Sequence, residues 1–387
     1  MHLDLISNSL LPDPYYRDNE KYLAAFESAS WEYLTSFSLP DSLLSYPNLQ
    51  IIFEGLDTHT TIYFNENEIL QTHDYFVEYQ TSIKDLVKKE NNTLKIVFES
   101  AIIHDEKKRI SFLPNIIPAD NPNRTPFSRK PRFHYGWDWG PRIVTAGIAK
   151  KIKIRGFTGF KIESLSFETI EFKQHNTLNQ PTKNLIGQNL DVTQENYLNH
   201  QEMRTINNFN EFSTKNEQNK TPNSDLFDAL IKAEFRLSLN KDEKMDDFFK
   251  KDVEIYFSTY INNKTLTLFP DVKFSGELFY FTFEISGIEL WWSRGLGRQI
   301  LYDFKITIKK NGVEEEINQR TGIRKVKLIN VKDEIGESFL INLNGKNVFA
   351  KGANYIPPEY FEAKITQEKM EKDARDMTEA NCNYYYR

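Results

Sequence analysis

Up to about residue 156 the apolar positions fall on a period of two, or in short runs closed by turn residues. Leu49-Gln50-Ile51-Ile52-Phe53 is a short apolar run that ends at Glu54-Gly55. Thr61 to Phe64 is followed by the polar turn Asn65-Glu66-Asn67 and then Ile69-Leu70. That spacing predicts a β-hairpin. Leu94 to Phe98 alternates, and Ile148, Ile152 and Ile154 alternate with lysines. Successive side chains of a strand point to opposite faces, so many short strands with turns between them predict an antiparallel sandwich.

From about Lys173 to Asn223 the pattern is lost. This stretch is rich in Asn, Gln, Thr and Glu. It lacks the apolar surface to offset its ordering entropy and is expected to be a disordered insertion. Strand signals resume at Ile231 to Leu239, Val253 to Tyr260 and Glu277 to Ile285. Leu301 to Ile308 alternates cleanly, Asn311-Gly312 is a hairpin turn, and Val326 to Ile329 follows. These strands suit a second, immunoglobulin-type sandwich. Phe339 to Leu343, the turn Asn344-Gly345 and Val348 to Ala350 then lead to Pro357-Pro358. Thr366 is placed to cap a helix with Glu368 in its first turn. Met370, Ala374, Met377 and Ala380 share one face of it. A further buried strand is expected over Cys382 to Tyr386. Strand, helix, strand is a βαβ unit, and a single one is expected to leave its apolar faces uncovered.

Length and composition narrow the function. A chain of 387 residues holds two or three domains. Its net charge of -6 gives no general attraction to nucleic acid or anionic membrane. No apolar run has the length to cross a bilayer. The single cysteine, Cys382, forms no internal disulfide, and a structural thiol is the expected reading. No metal-site or nucleotide-binding pattern appears, so neither a metal nor a cofactor is expected. Met1-His2-Leu3-Asp4-Leu5 lacks the order of a secretory signal. Asn91, Asn123, Asn219 and Asn263 begin Asn-x-Ser/Thr triplets, which permit a secretory route.

The segment richest in chemistry is Phe133-His134-Tyr135-Gly136-Trp137-Asp138-Trp139-Gly140-Pro141. Glycine and proline place the Trp-Asp-Trp triplet on a bend. A sugar needs acceptors for neighbouring hydroxyls and flat apolar surfaces for its C–H faces. A carboxylate supplies the first through charge-assisted hydrogen bonds. An indole supplies the second. The plain alternative makes Trp137 and Trp139 core anchors and Asp138 a turn cap, because tryptophans are mostly buried for packing.

Gly-Trp-Asp-Trp-Gly-Pro followed by Thr145-Ala146-Gly147-Ile148 resembles the signature of the β-mannosidases among the family 2 glycoside hydrolases. Leu11-Pro12-Asp13-Pro14-Tyr15-Tyr16-Arg17 and Phe53-Glu54-Gly55-Leu56-Asp57-Thr58 resemble earlier motifs of that family. Leu290-Trp291-Trp292, Arg320 to Leu328 and Phe349-Ala350-Lys351-Gly352-Ala353-Asn354-Tyr355-Ile356-Pro357 resemble later ones. In place of the family's usual Pro-Asn, Ser293-Arg294 follow the tryptophan pair. One extra residue precedes Arg387 at the end.

The resemblance implies a mainly β protein. A galactose-binding-like jelly-roll sandwich is expected over 1–156. An immunoglobulin-like sandwich follows over 157–335, with the insertion at about 173–223. The incomplete start of a (β/α)8 TIM barrel is expected over 336–387. Trp137, Asp138 and Trp139 match the loop that meets the terminal mannose, and Asn354 matches a substrate-contacting asparagine at the end of barrel strand one. The implied activity is retaining exo-hydrolysis of terminal β-D-mannose from glycoprotein oligosaccharides, with a β-mannoside oligosaccharide as substrate and neither nucleic acid nor membrane as a partner. Its acid and nucleophile, about 5–5.5 Å apart, belong to later barrel strands, so no catalytic residue is assigned in this chain. Eukaryotic members imply a lysosomal setting. The competing reading is a stand-alone, lectin-like carbohydrate-binding protein.

Overall fold

The computed structural model describes residues 1–112, 127–175, 225–240, 243–249, 252–261, 264–275 and 277–386. Two compact units divide the chain. The first is Met1–Phe157 with Ile356–Glu371, and the second is Thr158–Tyr355 with Lys372–Arg387.

In the first unit an antiparallel sheet runs in the order Trp31–Phe37, Asn92–Phe98, Thr60–Phe64, Asn67–Thr72. A second runs Tyr79–Ser82, Asn48–Phe53, Ile152–Phe157. Strand alternation fills the space between them. Leu94, Ile96 and Phe98 face Leu49, Ile51 and Phe53 across one core, joined by Ile62 and Phe64. The expected hairpin is present, and its turn residues Asn65 and Glu66 both have positive φ. Asn65 suits that turn because its amide donates to the Leu86 carbonyl at 2.8 Å while its carbonyl accepts the Thr93 N–H at 2.8 Å. A separate apolar cluster joins Leu11, Leu23 and Ile143 to Tyr360 and Phe361. The segment that follows Pro357 is thereby part of this unit.

The second unit packs two four-stranded antiparallel sheets. One runs Phe160–Gln174, Phe227–Leu239, Leu278–Ile288, Lys273–Ser275. The other runs Lys264–Leu268, Val253–Ile261, Tyr302–Lys310, Val313–Thr321. Their core is built from phenylalanines, among them Phe235, Phe257, Phe279, Phe281 and Phe304. Each full burial of such a ring contributes about 1.5–3 kcal/mol. Lys173 and Gln174 belong to the strand Phe160–Gln174. His175 donates its N–H to Leu226 at 2.8 Å, and residues 176–224 lie outside the described ones.

Beyond these sheets, Val326–Ile329, Leu340–Leu343 and Lys346–Val348 form a three-stranded antiparallel sheet. Asn344 and Gly345 take positive φ at its turn. Phe349 is not part of the last strand and is 82% exposed. Gly352–Asn354 pairs in parallel with Tyr384–Tyr386, and the helix Gln367–Glu379 lies between them in sequence. The expected cap is in place, since Thr366 Oγ1 accepts the Lys369 N–H at 3.3 Å. The apolar stripe of this helix is only partly covered: Met370 and Met377 are half-buried, while Ala374 and Ala380 are exposed. Tyr384 is also exposed, so the strand expected to be buried is open at its start. Cys382 is half-buried.

Candidate carbohydrate-binding hairpin

The Trp-Asp-Trp triplet sits on a tight two-residue hairpin. A short 3-10 turn, Arg132–Tyr135, leads into Gly136, whose φ of 93° suits only glycine without strain. Trp137 and Gly140 then exchange both backbone hydrogen bonds, each at 3.3 Å, which leaves Asp138 and Trp139 at the tip. Pro141 follows, and Ile143 closes the stem by donating to the His134 carbonyl at 3.1 Å. Trp137 is 55% exposed and Asp138 is exposed. Both line an open depression of about 650 Å³ with Glu20, Tyr135 and Arg142. Trp139 is half-buried against Phe133, ring centroids 5.2 Å apart, and Tyr360, 6.5 Å apart.

The stem is held by two buried polar networks. In the first, Lys130 and Asp57 form an ion pair at 2.9 Å with side chains 0% and 5% exposed. Lys130 also donates to the Thr145 carbonyl at 2.6 Å. Thr145 Oγ1 donates to Asp57 at 2.5 Å and lies 2.9 Å from His134 Nδ1. A hydroxyl that gives its proton to Asp57 accepts from the ring, which places the His134 proton on Nδ1. Burial pushes the Asp57 carboxyl up, but Lys130, His134 and the hydroxyls of Thr145 and Thr58 outweigh it, so it stays below the ordinary carboxylate range. Burial, aided by Lys130, lowers His134 to about 3.

In the second network, Tyr135 donates to Asp105 at 2.7 Å. Ser128 donates to the other oxygen of Asp105 and lies 2.8 Å from His59 Nε2. The His59 ring stacks on His104 with centroids 3.6 Å apart. Burial holds the Asp105 carboxyl up and lowers His59 to about 4. Arg142 ties the far side of the stem, donating to the Tyr135 carbonyl at 3.1 Å and to Glu27 at 2.7 Å.

Trp137, Asp138 and Trp139 are thus brought together on one braced turn, with the two indoles in different settings. Asn354 belongs to the second unit, exposed at the end of the strand Gly352–Asn354. The sequence reading missed Arg142, Glu27, Tyr360 and the Lys130–Asp57 pair. No local pattern marks partners separated by 115, 217 or 73 positions. Among the described residues no group of three His, Cys, Asp or Glu side chains is placed to hold a metal ion. Among the described residues, likewise, no helix is long and apolar enough to cross a membrane.

Comparison with known proteins agrees with this architecture. Residues 1–150 match the glycosyl hydrolase 2 galactose-binding domain-like family, and residues 211–324 match glycosyl hydrolases family 2. Both matched segments are thus domains of the glycosyl hydrolase 2 kind. It is similar to a β-mannosidase of Mus musculus, at 25% identity over 99% of this chain and 38% of that protein. In fold it resembles the β-D-mannosidase of Dictyoglomus thermophilum, with a TM-score of 0.73, 24% identity, and coverage of 100% of this chain and 40% of that one. An exo-chitosanase of Amycolatopsis orientalis shares the fold at a TM-score of 0.59 and 16% identity, over 100% of this chain and 36% of that one. The chain therefore spans under half the length of these relatives.

Proposed function

We propose that this chain is the amino-terminal part of a retaining exo-β-mannosidase that removes terminal β-D-mannose from glycoprotein oligosaccharides. One observation carries the reading: a solvent-facing carboxylate, Asp138, beside an exposed indole, Trp137, on a hairpin whose base is locked by a buried ion pair. A core anchor has no need of that exposure. Asp138 accepts hydrogen bonds from neighbouring sugar hydroxyls. Trp137 presents a flat face to the C–H side of the ring. Trp139 acts chiefly by setting the turn, and Asn354 is proposed as a further sugar contact. The fold alone does not select mannose, since an exo-chitosanase shares it. The mannose reading leans on the resemblance of the hexapeptide.

The acid and the nucleophile are proposed to lie outside these 387 residues, on later strands of a barrel begun by Gly352–Asn354 and Tyr384–Tyr386. A lysosomal setting is proposed on resemblance to eukaryotic members. Incubating the 387-residue chain with an aryl β-mannoside tests this division of labour. The expected result is no turnover, with turnover in a polypeptide that spans the length of the relatives. Hydrolysis by the 387 residues alone overturns the division. Absence of hydrolysis by the longer polypeptide, with tight mannose binding, returns the choice to a lectin-like protein.

A further inference from the structure

We infer that Tyr360 is a positioning residue for the Trp137–Asp138 hairpin. The inference deepens the proposed function and rests on it. Tyr360 comes more than 200 positions after the hairpin, yet it is 5% exposed in the same apolar cluster. Its hydroxyl meets both stems at once. It lies 3.0 Å from the Phe133 carbonyl and 3.2 Å from the Ile143 carbonyl, either of which takes its proton. It also accepts the Ile143 N–H at 3.2 Å, a donor shared with the His134 carbonyl.

Phe133 precedes the turn and Ile143 follows it, so one hydroxyl pins the hairpin where its two strands part. The ring braces the same place. It sits edge-on to Phe133 at 5.3 Å and beside His134 at 5.6 Å. It is also 6.5 Å from Trp139. A Cβ at Gly140 would meet it at 3.5 Å. Tyr360 is itself fixed. Glu359 accepts the Tyr360 N–H at 2.9 Å and the Tyr15 hydroxyl at 2.8 Å, and Glu362 accepts the Tyr75 hydroxyl.

A two-residue turn has little stiffness of its own, because its stem holds few backbone bonds. The aim of Asp138 therefore depends on what grips the base. Tyr360 does so without reaching the depression, whose lining does not include it. A residue of the strand-linked segment after Pro357 thus sets the geometry of a binding turn encoded far upstream.

The test compares Tyr360→Phe with wild type in the full chain, using amide hydrogen exchange over residues 133–143 and calorimetric titration with methyl β-D-mannoside. Phenylalanine keeps the ring and its packing, so folding is retained. Tyr302→Phe removes a hydroxyl of the second unit that donates to the Glu289 carbonyl at 3.1 Å, and serves as the control. The expected result for Tyr360→Phe is faster exchange at Ile143 and Gly140, with affinity lowered roughly 2- to 10-fold, the range for one neutral hydrogen bond. Tyr302→Phe should leave both near wild type. Unchanged exchange in Tyr360→Phe overturns the bracing. Faster exchange with unchanged affinity overturns the positioning role while leaving the sugar site standing. No binding by wild type removes the sugar site, and the positioning role with it.

Discussion

The ammonium of Lys130 lies 2.9 Å from the carboxylate of Asp57, and both side chains are buried. Such a pair is neutral as a unit, but each member alone is a buried charge. Lys130→Met leaves Asp57 uncompensated and should destabilise the first unit by about 3–5 kcal/mol. Replacing both, as Lys130→Met with Asp57→Leu, should recover much of that loss. Urea denaturation of the single and double variants checks this. A single variant within 1 kcal/mol (roughly) of wild type would show that the pair is not buried in solution.

Acid should act through histidines. Burial lowers His2 and His59 to about 4 and His134 to about 3. Unfolding returns each ring to about 6.5. Between those limits the unfolded chain binds more protons than the folded one, so stability falls as pH falls through that window. Each ring contributes up to about 1.4 kcal/mol per pH unit. Asp57 adds its own loss at lower pH, because its folded value is depressed. Denaturant midpoints at pH 7, 5.5 and 4.5 (roughly spaced across the window) should drop steadily. A flat profile means these rings are hydrated or paired.

Gly136 holds φ at 93°, and a Cβ there would meet Arg142 Cβ at 3.3 Å. Gly136→Ala should cost about 1–3 kcal/mol, the range for a side chain forced into such backbone. It should also loosen the Trp137–Gly140 turn. Thermal denaturation reads the first effect and amide exchange at Gly140 the second. A neutral substitution would mean that the turn relaxes into ordinary backbone.

Phe257 is fully buried, with Phe283 at 4.5 Å and Phe304 at 5.6 Å. Phe257→Ala removes a ring that both sheets of the second unit share. The expected loss is about 3–5 kcal/mol, read from the urea transition of that unit. A small effect would place the ring at an edge of the core.

Much of this fold is legible in the sequence because alternation reports which face is buried. Leu94 to Phe98, the turn at Asn65-Glu66 and the turn at Asn311-Gly312 are where their patterns put them. The helix Ala101–Phe112 escaped notice. It follows the strand Asn92–Phe98 within three residues, and its charged positions blur any apolar stripe. The strand expected to be buried over Cys382 to Tyr386 begins at an exposed Tyr384, because composition does not say what covers a face. In the candidate site, the Trp-Asp-Trp bend follows from glycine and proline chemistry. What grips it does not, because Arg142, Glu27 and Tyr360 meet only after folding and none lies in a recognisable motif.

The most direct test of the sugar-binding hairpin is calorimetric titration of methyl β-D-mannoside into wild type and Asp138→Ala. Asp138 is exposed and its removal leaves the braced stem intact, so a change in affinity reports on the site rather than on folding. Loss of a charged hydrogen-bond acceptor should weaken binding roughly 10- to 100-fold. Equal affinity in the two proteins would contradict the account and return the triplet to a purely structural role.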